Sequence, residues 1–136
     1  MENIMKLSHI AIAVKNLGAS SRLFTTLLRV DDIPVEEVAD QKVRVGFCRV
    51  GDVSIELTEP IDPISPVAKF IEKRGEGIHH LAFRVDDLEA ELLRLKAEGF
   101  TLIDETPRRG AGGSRIAFLH PKSTNGVLIE LIESHE

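Results

Sequence analysis

The sequence predicts an α+β fold built from one unit used twice, each copy running strand–helix–strand–strand–strand. Three observations predict it. His9 and His80 each open a strand-like run, His9-Ile-Ala-Ile-Ala-Val14 and His80-Leu-Ala-Phe-Arg-Val85. Glu56 and Glu130 each sit in a Val-x-Ile-Glu-Leu run, Val53–Leu57 and Val127–Leu131, and follow their histidines by 47 and 50 residues. Arg44-Val-Gly-Phe47 recurs as Arg115-Ile-Ala-Phe118 at the equivalent place. The second hairpin is three residues longer, which accounts for the difference in spacing. Each copy leaves one sheet face uncovered, so two copies in one chain are expected to pack as pseudo-symmetric neighbours.

The expected layout is a single domain: a first module over about residues 5–59, a linking helix over about 64–75 and a second module over about 76–134. A chain of 136 residues is long enough for one substantial core. With 43% hydrophobic and 29% charged residues it reads as globular, not disordered. No apolar run approaches the ~20 residues of a membrane span, and Met1-Glu-Asn-Ile-Met-Lys6 lacks the layout of a signal peptide. Cys48 is the one cysteine, so no internal disulfide forms, and a cytoplasmic location is expected. Its ordinary role is that of a small buried hydrophobe. The net charge of −5, with Arg108-Arg109 as the one basic cluster, argues against nucleic-acid binding and leaves room for a local anion site.

Taken in order, Leu7 to Val14 alternates, with His9, Ala11 and Ala13 on one strand face and Ile10, Ile12 and Val14 on the other. The alanines leave space beside the histidine. Asn16 is placed to cap a helix through about Leu28, with Leu17, Phe24, Leu27 and Leu28 as its apolar face. Asp31-Asp32-Ile33-Pro34 ends it, and Val35–Val38 is a short strand. Lys42–Val50 and Val53–Thr58, turned by Gly51-Asp52, read as a hairpin. Ser65-Pro66 is N-cap plus first helical position for a short helix closed by Gly75.

The second copy follows the same order. Ile78–Val85 is a strand. Asp86 with Glu89 forms the capping box of a helix whose apolar positions are Leu88, Leu92, Leu93 and Leu95 and whose stop is Gly99. Thr101–Asp104 is a short strand, and Pro107–Gly113 a loop. Ser114–Leu119 and Val127–Ile132 form the last hairpin, turned by residues 122–126.

Two imidazoles and two carboxylates suit a borderline divalent cation such as Zn, Co, Ni, Mn or Fe. Glu130 lies between Ile129 and Leu131, where a carboxylate is either solvated at a sheet edge or buried with a partner. Any one of these four residues alone is an ordinary core or strand residue. Their recurrence in register argues for one shared site. His79, one residue before the repeat's strand phase, and His120, in a His-Pro-Lys turn, lack that support and are secondary candidates; His135 reads as tail.

At these residues the chain resembles the vicinal oxygen chelate superfamily and, within it, the methylmalonyl-CoA epimerases. The resemblance covers essentially the whole chain. It is carried by Leu7-Ser-His-Ile-Ala-Ile-Ala-Val14, Asp40-Gln-Lys-Val43, Ile55-Glu-Leu57, Pro66-Val-Ala-Lys-Phe-Ile71, Gly77-Ile-His-His-Leu-Ala-Phe-Arg-Val85, and Gly110 to Ser123 running into Gly126-Val-Leu-Ile-Glu-Leu131. It implies two paired βαβββ modules forming a curved mixed sheet around a metal site. It places the metal ligands at His9, Glu56, His80 and Glu130, with cobalt first and manganese, nickel or zinc as other candidates. It also implies an acyl-CoA substrate and a homodimer, with neither nucleic acid nor membrane as partner. Some similar bacterial epimerases carry glutamine at position 56 and a glutamate near position 45 that is proposed as base. Here Glu56 and Val45 stand at those places.

The implied activity is interconversion of (R)- and (S)-methylmalonyl-CoA. The α-proton is removed and returned through a metal-stabilised enolate, with Glu56 and Glu130 serving as ligands and proton carriers. The segment Arg108, Arg109, Gly112, Gly113 and Ser114, with His79 and His120, is the candidate substrate contact, offering guanidinium forks and backbone N–H groups. Two alternatives stay open. A glyoxalase I-type lyase is favoured by Glu at position 56. A non-catalytic small-molecule binder of the same fold would have no need of four ligands.

Overall fold

The computed structural model describes residues 5–134. In chain order it comprises β1 (Lys6–Ala13), α1 (Leu17–Leu28), β2 (Val35–Val38), β3 (Val43–Val50), β4 (Val53–Pro60), α2 (Pro66–Arg74) and β5 (Gly77–Arg84). There follow α3 (Leu88–Ala97), β6 (Arg108–Arg109), β7 (Arg115–Leu119) and β8 (Ile129–Glu133). The fold is α+β, with eight strands in a mixed sheet. Internal contacts divide it into two compact units: His9–His79, and the chain on either side of that stretch. Among the described residues no helix is long and apolar enough to cross a membrane.

In the first unit β1 pairs in parallel with β4, β4 is antiparallel to β3, and β3 is antiparallel to β2. Strand alternation sends Ile12, Cys48, Ile55 and Leu57 to the face covered by α1. There they pack with Val14, Leu17, Phe24, Leu28, Val30 and Ile33. Cys48, 1% exposed, is the small core hydrophobe the sequence led us to expect. Gly46 faces the same helix, and a Cβ there would stand 2.9 Å from Ile33 Cγ2 and 3.1 Å from Leu17 Cδ1, so the close approach excludes a side chain. The Asn16 side chain accepts from Ala19 N at 2.9 Å, as a cap should. Leu27, expected on the buried face, is 65% exposed. With 100° per residue, Phe24 and Leu28 define the stripe, and Leu27 falls off it. The Ser65 hydroxyl caps α2 by accepting from Val67 N at 3.2 Å.

The second unit repeats this pattern. β5 is parallel to β8, β8 antiparallel to β7, and β7 antiparallel to β6. Helix α3 covers Val85, Ala117, Leu119 and Leu131 with its own Leu88, Leu92 and Leu95. Leu93, expected among them, is 73% exposed, because it lies one step round the helix from Leu92.

The α3 cap differs from expectation. Asp87, not Asp86, is the N-cap, with backbone φ −135° and ψ 97°, and its Oδ1 accepts from Ala90 N at 3.1 Å. The capping box therefore does not form, and Glu89 pairs instead with Arg115 at 3.1 Å. That partner, the first cause, together with Glu133 raises the Arg115 guanidinium above its ordinary pKa. Thr101–Asp104 is not a continuous strand: Leu102 forms an isolated bridge with Leu119, flanked by hydrogen bonds from His120 N to Thr101 O and from Ile103 N to Phe118 O, both at 2.8 Å. Conversely, Arg108 and Arg109, placed by the sequence in a loop, form the two-residue β6 on β7. A one-turn 3₁₀ segment, Ala111–Gly113, follows.

The two units share a second recurring arrangement. Glu59 and Glu133 each lie three residues after the repeat glutamate and point to the helix-covered face. Glu59 Oε2 accepts from Leu17 N at 2.9 Å and its Oε1 meets Arg44 Nη1 at 2.9 Å. Glu133 Oε1 accepts from Leu88 N at 2.8 Å and its Oε2 meets Arg115 Nη1 at 3.1 Å. A carboxylate at a helix N-terminus satisfies an orphan donor and favours the dipole. Each helix is thus tied to the last strand of its unit by a charged clamp.

Candidate metal centre

In the first unit Ala11 on β1 stands opposite Glu56 on β4, and Phe47 on β3 stands on its other side. In the second unit Ala82 on β5 stands opposite Glu130 on β8, with Phe118 on β7 at the other side. His9 and His80 each precede their alanine by two residues, so histidine, alanine, glutamate and phenylalanine share one strand face in both units. Both alanines are 0% exposed. Each puts only a methyl group beside its histidine, and the room that leaves is taken by the carboxylate.

Each unit closes its own His–Glu pair. His9 Nδ1 lies 3.1 Å from Glu56 Oε2, and His80 Nε2 lies 2.7 Å from Glu130 Oε1. The glutamates differ in depth: the Glu130 side chain is 6% exposed against 14% for Glu56, while His9 and His80 are both buried, at 4% and 8%. The 2.7 Å approach is not aligned as a hydrogen bond. An imidazole nitrogen and a carboxylate oxygen buried this close together have the chemistry of ligands that can converge on a cation. The Phe118 ring stands edge-on to His80, centroids 5.3 Å apart at 89°, and fixes the imidazole plane. Among the described residues, buried side chains that carry metal-ligating atoms include His9 in the first unit and His80 and Glu130 in the second. Glu56, in the first unit, stands against His9.

The remaining candidates separate by strand face and by loop. Alternation along β5 turns His79 away from the His80 face, and its ring meets Phe70 edge-on at 5.0 Å. His120 is exposed, and its Nδ1 accepts from Lys122 N at 3.0 Å, capping the turn that opens the last connection. Ser114 is 4% exposed and donates through Oγ to Ala111 O at 2.7 Å. Gly112 and Gly113 have φ of +65° and +75°, which glycine adopts without strain. Arg109 is exposed, whereas Arg108 is half-buried on the glutamate-bearing face: it pairs with Ile116, two residues before Phe118. Its guanidinium lies 5.4 Å over the Phe118 ring, with Nε 3.3 Å from Asp104 Oδ1. Asp104 was not among the residues the sequence singled out; no motif marks it. Val45, on the same face as Phe47 and Glu56, is 4% exposed and opposite Thr58, so an apolar side chain lines that position.

Residues 8–118 match the profile of the Glyoxalase/Bleomycin resistance protein/Dioxygenase superfamily. The chain belongs to that superfamily. It is 43% identical over 128 residues to the uncharacterized protein YqjC of Bacillus subtilis, covering 94% of this chain and 91% of that one. It is 42% identical over 132 residues to the mitochondrial methylmalonyl-CoA epimerase of Dictyostelium discoideum, covering 96% of this chain and 79% of the relative. Among solved structures, a Streptomyces coelicolor methylmalonyl-CoA epimerase variant in complex with 2-nitronate-propionyl-CoA superposes with a TM-score of 0.92 at 34% identity, covering 97% of this chain and 96% of that one. The superfamily's relatives thus include methylmalonyl-CoA epimerases, and the resemblance read from the motifs is shared by the fold.

Proposed function

We propose that this chain is a metal-dependent epimerase that interconverts (R)- and (S)-methylmalonyl-CoA. One observation carries the reading: a buried histidine, a methyl-sized gap, a glutamate and a phenylalanine recur in the same strand register in both units. The 42% identity to an epimerase, and the acyl-CoA ligand of the Streptomyces coelicolor relative, support the substrate class. In this reading each βαβββ module contributes one His–Glu pair.

The donor set fits a divalent ion, with cobalt the first candidate and manganese, nickel or zinc the others. His9, His80 and Glu130 would hold it, with Glu56 completing the set or standing against His9 to fix the imidazole tautomer. When bound, the ion would supply Lewis-acid stabilisation of the negative charge that develops on the thioester oxygen.

The chain's own residues move the proton. The α-carbon of methylmalonyl-CoA lies between a thioester and a carboxylate. One carboxylate of the enzyme takes the α-proton while the C–H electron pair delocalises onto the thioester carbonyl. A second returns a proton to the other face of the same carbon. Glu56 and Glu130 are the pair proposed for this, each serving one face. Glu56 is the more exposed of the two, and Glu130, the deeper, lies against His80. Phe47 and Phe118, beside the two carboxylates, keep water away from the carbanionic stage.

The deciding experiment is α-proton exchange of methylmalonyl-CoA in heavy water, followed by NMR, with and without added Co²⁺. Metal-dependent exchange at both faces is expected. Stoichiometric metal without exchange would sink the epimerase reading. Turnover of methylglyoxal plus glutathione in place of methylmalonyl-CoA would replace it with a glyoxalase-type lyase. A homodimer is the assembly expected with this activity, readable by light scattering.

A further inference from the structure

Resting on the acyl-thioester reading above, we infer that Arg108 recognises an anionic oxygen of the substrate, and that Asp104 and Phe118 hold its guanidinium for that task. Arg108 sits on β6, opposite Ile116, on the strand face that also carries Phe118 and Glu130. Its guanidinium lies over one face of the Phe118 ring at 5.4 Å, and the edge-to-face contact with His80 involves the same ring. Guanidinium, phenyl ring, imidazole and buried carboxylate thus form a continuous series along one strand face.

Asp104 fixes the start of that series. Its Oδ2 accepts from Phe118 N at 2.9 Å, pinning the carboxylate to β7, and its Oδ1 lies 3.3 Å from Arg108 Nε. One carboxylate therefore locks the strand that carries Phe118 and sets the fork that lies above it. An ordinary surface arginine has neither constraint. The Arg108 side chain is nonetheless 39% exposed, so its terminal nitrogens reach a ligand. A planar, stacked, pre-oriented fork is the geometry that binds carboxylate or phosphate oxygens in two places at once. A malonyl thioester of coenzyme A offers both: the acyl carboxylate and the phosphates of the carrier.

The test measures binding by calorimetry to three ligands. These are methylmalonyl-CoA; methylmalonyl-pantetheine, which keeps the carboxylate and lacks the phosphates; and propionyl-CoA, which keeps the phosphates and lacks the carboxylate. Arg108→Ala is expected to weaken methylmalonyl-CoA binding roughly 10- to 100-fold, the loss of a charge-assisted contact. Arg49→Ala, an equal charge change at the β3–β4 turn, is expected to leave it unchanged. A loss that persists with the pantetheine ester assigns the contact to the carboxylate, and one that persists with propionyl-CoA assigns it to a phosphate; either supports the inference. Arg108→Lys, which keeps the charge without the planar fork, is expected to fall between.

Asp104→Asn keeps an acceptor for Phe118 N and removes the charge facing Arg108. It is expected to weaken binding several-fold while the rate of α-proton exchange at saturating substrate stays within about twofold. Unchanged affinity of Arg108→Ala for all three ligands overturns the inference. A saturating rate that falls as far as affinity in Asp104→Asn overturns the positioning role. Wild-type protein that binds the thioesters but exchanges no α-proton removes the epimerase reading and leaves Arg108 standing. Exchange that proceeds with Arg108→Ala binding as wild type removes this inference alone.

Discussion

Replacing Glu130 by glutamine separates a carboxylate kept for a metal from one kept for the fold. Glu130 is 5% exposed and His80 7%, with 2.7 Å between the carboxylate and Nε2. If the two formed a structural ion pair, removing one charge would strand the other, at a cost of about 3–5 kcal/mol. If the carboxylate is instead a ligand, the metal-free protein carries a desolvated anion that it would be better off without. Glutamine has the same shape and no charge. The metal-free variant is then expected to equal the wild type or exceed it by about 1–3 kcal/mol. For a chain of this length that is a rise of roughly 3–10 °C in melting temperature. With metal the order reverses. An ion at 100 times its dissociation constant adds about 2.7 kcal/mol to the wild type, and little to the variant. The assay is urea unfolding of both proteins, with chelator and with Co²⁺. A metal-free variant destabilised by more than about 2 kcal/mol, or one stabilised by Co²⁺ as much as wild type, would refute the ligand assignment.

Three further outcomes follow from the same geometry. Ala82→Val adds two methyl groups at a 0%-exposed position opposite Glu130, and is expected to cost about 1–3 kcal/mol in urea unfolding and to lower the bound metal measured by elemental analysis. Glu133→Ala removes the acceptor of Leu88 N and is expected to cost about 1–2 kcal/mol, with α3 amides exchanging faster in hydrogen-exchange mass spectrometry. Gly110→Ala would place a Cβ 2.7 Å from Ile116 Cγ2 and 2.8 Å from Ser114 Oγ, so it is expected to displace the Ala111–Gly113 turn and cost about 1–3 kcal/mol, read by thermal unfolding.

The recurring strand face was legible because it is written in a period of two. His9 with Ala11, His80 with Ala82, and the glutamates inside Val-x-Ile-Glu-Leu all depend on alternation, which a strand keeps wherever it packs. The caps at Asn16 and Ser65 were legible for a similar reason: each is a local exchange between a side chain and the next backbone amides.

What was missed depends on partners far along the chain. Asp86 and Asp87 offer the same local signal. Glu133, 45 residues on from Leu88, bonds the first helical amide and so bears on where the turn begins. The two-residue β6 has no periodicity to read, and its pairing comes from β7. The Arg44 and Arg115 repeat was visible, but the Glu59 and Glu133 that complete its clamp sit on the strand face away from the His–Glu pairs, and no local motif ties them to the helix N-termini they bond. Asp104 lies in a segment whose strand-like composition suggested a continuous pairing, whereas it meets β7 through an isolated bridge at Leu102 and hydrogen bonds to Phe118.

The parallel pairing within each unit also governs when the donors can meet during synthesis. In both halves the histidine arrives on the first strand and the glutamate on the last, and the two strands are direct neighbours. Everything between must be made before that neighbour exists, and the loop so closed is long by the standards of a hairpin. A chain emerging from the ribosome therefore displays His9 alone through most of the first half, then a completed pair, then His80 alone until the final strand. A lone imidazole holds a divalent ion weakly. The order of strands thus postpones each His–Glu pair until the fourth strand of its unit has been added.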